Sequence, residues 1–78
     1  MIIIDGGKII PDTSTSHADY RVISDRGNLM GYLVDLALDE DKTPGSQGFD
    51  AFLPDGTYHA TAGDMTGAAE TLFAHNWR

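Results

Sequence analysis

The chain has 78 residues, with 12 Asp and Glu against 5 Lys and Arg and no cysteine, for a net charge of −7. A chain this short forms one domain, residues 1–78, near the lower limit of what folds alone, and neither a disulfide framework nor a thiolate zinc site can support it. The longest apolar run, Met1–Ile4, is too short to span a membrane or act as a signal segment, so the expected compartment is the cytoplasm.

Met1–Ile4, then Asp5-Gly6-Gly7-Lys8, then Ile9-Ile10 is the pattern of a tight hairpin, and the glycines suit a primed two-residue turn. Pro11 ends its second arm for want of an N–H. Residues 12–19 are polar and without period, which is a loop. Tyr20–Ser24 has strand composition, residues 25–28 (DRGN) turn, and Leu29 to about Leu36 runs back. Gly31 inside that second strand predicts a bulge or a close backbone approach.

Residues 39–48 (DEDKTPGSQG) form the most hydrophilic stretch, a long solvated loop. Phe49–Leu53 alternates, Pro54-Asp55-Gly56 turns, and Thr57–Thr61 returns. Asp64 is a good N-cap for a helix over residues 65–76. Met65, Ala68, Ala69, Leu72, Phe73 and Trp77 fall on one stripe of it. The expected fold is α+β: an antiparallel meander of about four strands, with an N-terminal hairpin as a further piece, packed on one C-terminal helix.

Catalytic and metal chemistry find little support in this pattern. Read as a calcium loop from Asp39, the acidic stretch opens well with Asp41 and Thr43. It then places Pro44 where the geometry needs glycine and Asp50 where it needs a bidentate glutamate. His17, His59 and His75 lack the i, i+4 spacing that puts ligands on one helical face. Ser14, Ser16, Ser24 and Ser46 have neither a nucleophile elbow nor an orienting pair. Gly6-Gly7 opens no helix, so a phosphate cradle is unsupported. The expectation is therefore a protein that is not an enzyme and that holds no metal or cofactor.

The charge is lopsided. Residues 1–34 carry four acids against three bases, whereas residues 35–70 carry eight acids against Lys42 alone. Such a field repels nucleic acid and attracts basic surfaces. Tyr20, Tyr32, Phe52 and Tyr58 are candidate outward-facing aromatics among acidic neighbours, a composition that suits a protein-binding surface. The sequence thus leads to a small acidic protein-binding module that docks on a basic protein or nucleoprotein complex handling nucleic acid and inhibits it. It would act as a nucleic-acid mimic, like phage and mobile-element counter-defence proteins of the anti-CRISPR and anti-restriction type, without binding nucleic acid or membrane itself. The candidate partner-binding residues are Asp35, Asp39, Glu40, Asp41, Asp50 and Asp55 with Tyr32, Phe52 and Tyr58. The alternative is a regulatory or accessory domain that binds a small ligand or a cation, or that self-associates. For self-association the N-terminal strand edge is the candidate for a homodimer contact.

Overall fold

The computed structural model describes residues 1–12, 18–37 and 46–76. Strands β1 (Ile2–Ile4), β2 (Gly7–Pro11), β3 (Tyr20–Ser24), β4 (Leu29–Asp35), β5 (Phe49–Phe52) and β6 (Tyr58–Ala62) precede one helix, α1 (Met65–Asn76). The strands form a single antiparallel sheet in chain order, β1 through β6. Helix α1 packs on one face of that sheet, against β4, β5 and β6. Among the described residues no helix is long and apolar enough to cross a membrane.

The expected α+β architecture is present, with six strands in place of about four because the N-terminal hairpin belongs to the sheet. Gly7 explains how it joins. A Cβ there would strike the Ile23 carbonyl oxygen and stand 2.9 Å from the Phe73 ring, so only a bare backbone lets β2 lie against β3 beneath the helix. The first turn also differs from expectation. Among its residues only Gly6 has a positive φ, +91°, and a primed turn would require one at Asp5 as well or instead.

Strand alternation decides which side chains meet the helix. Ile9, Val22, Leu33, Phe49 and Ala51 point to it and are buried, together with Ala68, Ala69 and Leu72 of α1. Met65 and Phe73 close the ends of this core, with Ile4, Tyr20, Met30, Leu53 and Ala62 packed around it. Tyr20, expected to face outward, instead lies on the helix side, because it pairs in register with buried Leu33, and it meets Phe49 edge-on with ring centroids 6.2 Å apart. The helix begins where the sequence places it: the Asp64 carboxylate accepts the Gly67 N–H at 2.5 Å, and the Asp64 carbonyl accepts the Ala68 N–H at 3.0 Å.

Gly31 does both things expected of it. Val22 pairs with Gly31 but Ile23 pairs with Leu29, so Met30 is the extra residue of a bulge. A Cβ at Gly31 would strike the Phe52 carbonyl oxygen and stand 2.9 Å from both Leu72 methyl groups. The helix therefore sits down on backbone at this point.

Candidate protein-binding face

The residues that alternate with the buried ones point away from the helix. Register joins five of them into one row across five strands: Ile10 beside Arg21, Arg21 beside Tyr32, Tyr32 beside Phe52, and Phe52 beside Tyr58. A second row runs Ile3, Lys8, Ile23, Leu29, and a third runs Val34, Asp50, Thr61. None of the apolar members of these rows is buried, and α1 lies on the opposite face. The result is a sheet face that is largely aliphatic and aromatic yet open.

The aromatic end of this face is held in place. Phe52 and Tyr58 meet edge-on with centroids 6.0 Å apart, which is a favoured quadrupole arrangement. Thr61 Oγ1 donates to Asp50 Oδ1 at 2.5 Å, so its only proton is spent. The 2.8 Å contact between Tyr58 and Thr61 therefore runs one way, with the tyrosine hydroxyl donating to Thr61 Oγ1. This relay, Tyr58 to Thr61 to Asp50, fixes a ring that is 53% exposed.

Of the sequence-predicted site residues, Tyr32, Phe52, Tyr58 and Asp50 come together on the open face. Asp55 lies in the β5–β6 turn at the end of the same strands, where it accepts the Thr57 N–H at 2.8 Å. The Thr57 hydroxyl, and after it the Thr57 amide, hold the Asp55 carboxyl below its ordinary value of 3.8. Asp35 is not with them. It is paired in register with buried Phe49 and so belongs to the helix side. There its backbone N–H donates to Asp19 Oδ2 at 2.8 Å, and its own Oδ1 accepts the Ala37 N–H at 2.9 Å. Asp39, Glu40 and Asp41 lie outside the described residues, as do most of the calcium-like loop, His17 and Trp77.

Carboxylates flank the open face at one end of the strands. Asp5, Asp25 and Asp55 occupy the three turns at that end, whereas at the other end Asp64 caps α1 and Asp19 accepts the Asp35 N–H on the helix side. Two arrangements had no signal in the sequence, because each pairs residues from different elements. Arg21 Nε lies 3.8 Å from the fully buried carboxylate of Asp12. His59 and His75 stack edge-on with ring centroids 4.7 Å apart. His59 Nε2 is 3.1 Å from the Thr71 carbonyl, and since a carbonyl only accepts, Nε2 carries the proton. Among the described residues no three His, Asp or Glu side chains are grouped to hold a metal. Comparison with known proteins finds no matching protein-family model, no matching curated protein and no matching solved structure.

Proposed function

We propose that this chain is a small acidic protein-binding module and that the open face of its sheet is the contact surface. The observation that carries the reading is the row Ile10–Arg21–Tyr32–Phe52–Tyr58, an aliphatic and aromatic strip with one arginine in it, held on the sheet and left uncovered by the helix. Exposed patches of this kind mark interaction sites, and aromatic residues with arginine are the side chains that interfaces concentrate. Asp5, Asp25 and Asp55 in the turns at one end of the strands give the face an acidic border there, so it fits an apolar patch bordered by Lys and Arg. Proteins that handle nucleic acid carry such basic borders.

The role is binding, with inhibition as its consequence. A module docked this way occupies cationic side chains that otherwise hold phosphates, as counter-defence inhibitors of the anti-CRISPR and anti-restriction kind do. The net charge of −7 supports this over direct contact with nucleic acid. A pull-down from host lysate at about 0.1 M and about 0.5 M salt tests it, since screening at the higher salt weakens the rim contacts and spares the apolar centre. The expected capture is a basic protein released by added DNA or RNA, and lost when Tyr32 and Phe52 are both changed to serine. Undiminished capture by the Tyr32→Ser, Phe52→Ser protein would remove the open face from the interaction.

A further inference from the structure

The two edges of the sheet differ in how they are protected. Strand β6 is bent by a register shift that leaves His59 as an extra residue, and polar Thr61 and Tyr58 line it. Strand β1 has none of these defences. It is Ile2-Ile3-Ile4, without charge, proline or bulge, and among the described residues it pairs with β2 alone. Natural sheets blunt such edges because unpaired N–H and C=O groups beside apolar side chains recruit another strand. Here the edge is left apolar: Met1 is 74% exposed, Ile3 70% and Ile2 43%.

We infer that β1 pairs antiparallel with β1 of a second copy, joining two six-stranded sheets into one. The strand's own sequence selects a second copy over another partner. A two-fold axis perpendicular to the sheet and midway between the two Ile3 residues sets Ile3 against Ile3 and Ile2 against Ile4. Every cross-strand pair is then between identical β-branched side chains, on both faces of the sheet. The same axis keeps both helices on one side and both open faces on the other. Ile3, which shares the open face with Lys8, then bridges one open face to the next. The contact neither uses nor covers the row centred on Tyr32 and Phe52, and it stands independently of the proposed docking function. A three-residue ladder buries far less than the roughly 1,200 Å² of a standard stable interface, so the association is weak and depends on concentration.

Sedimentation equilibrium of the whole chain from micromolar to millimolar concentration tests this. The mean mass should rise from 8.4 kDa toward twice that value. Ile3→Lys, at a site exposed enough to leave the fold intact, should hold the protein at the monomer mass. Phe52→Ser, on the far side of the open face, should leave the dimer unchanged. In the unaltered protein, amide hydrogen exchange at Ile2–Ile4 should slow as concentration rises. A monomer throughout the range, a dimer that survives Ile3→Lys, loss of the dimer in Phe52→Ser, or β1 exchange indifferent to concentration would each overturn the inference.

Discussion

At Gly31 a single methyl group would meet the Phe52 carbonyl oxygen on one side and Leu72 on the other, and the backbone there has φ of +153°. Gly31→Ala should therefore cost about 2–4 kcal/mol, strain and overpacking together, read as a lower urea midpoint with the slope unchanged. Asp55 makes a different kind of prediction, because it is solvent-exposed and its effect is local. Its carboxyl titrates lower in the folded chain than in the unfolded one, so its contribution is present above the unfolded value of 3.8 and fades as pH falls below it. Thr57→Val removes the hydroxyl that is the largest cause of the shift. An NMR pH titration should then show Asp55 moving up toward 3.8, and an unmoved titration would mean that the amide alone sets it. Gly31 was legible in the sequence because glycine within a strand pattern is conspicuous. The Asp12–Arg21 and His59–His75 pairs were not, since nothing in their spacing encodes proximity across elements.

Helix α1 is the element the sequence specifies best, and the reason is physical. Its stripe repeats at the helical period, its cap is an aspartate at the right position, and it must bury that stripe against something. Gly67 looks like a flaw in it, since alanine at a helix position is worth about 1 kcal/mol more than glycine. The structure gives another account: a Cβ at residue 67 would stand 2.8 Å from the capping oxygen of Asp64. The cap and the glycine are one device. Asp64→Ala alone should cost about 1 kcal/mol, and Gly67→Ala should fail to give its propensity gain while Asp64 is present. In the double variant that gain should return, so thermal melts of the four proteins should be non-additive in a double-mutant cycle. Additive effects would mean that the carboxylate moves aside freely. The hairpins were readable from their turn glycines, yet the membership of the first hairpin in the sheet was not, because it depends on Gly7 fitting beneath Phe73, which comes 66 residues later in the chain.

Over the whole molecule, odd and even positions along the strands correctly separate Phe49, buried, from Phe52, open. What alternation could not say is that Tyr32, Phe52 and Tyr58 share one row, since that needs the register across three strands, including the bulge at His59. The acidic loop was the most conspicuous feature of the sequence, but the part of the candidate site that the fold assembles is chiefly aromatic. The chain-order pairing of the six strands carries a consequence for biosynthesis. Each strand can pair with its predecessor as soon as it is made, so the sheet has little need to wait for distant sequence. The lid of the core comes last. Until α1 docks, the sheet is largely apolar on both sides, and the growing chain is at its most adhesive before that helix forms. A protein stopped after Ala62 should still show strand signal by circular dichroism, bind a hydrophobic dye strongly and sediment as aggregate. Supplying α1 as a separate peptide should reverse part of that behaviour, and a well-behaved monomer without the helix would show that the sheet does not depend on it.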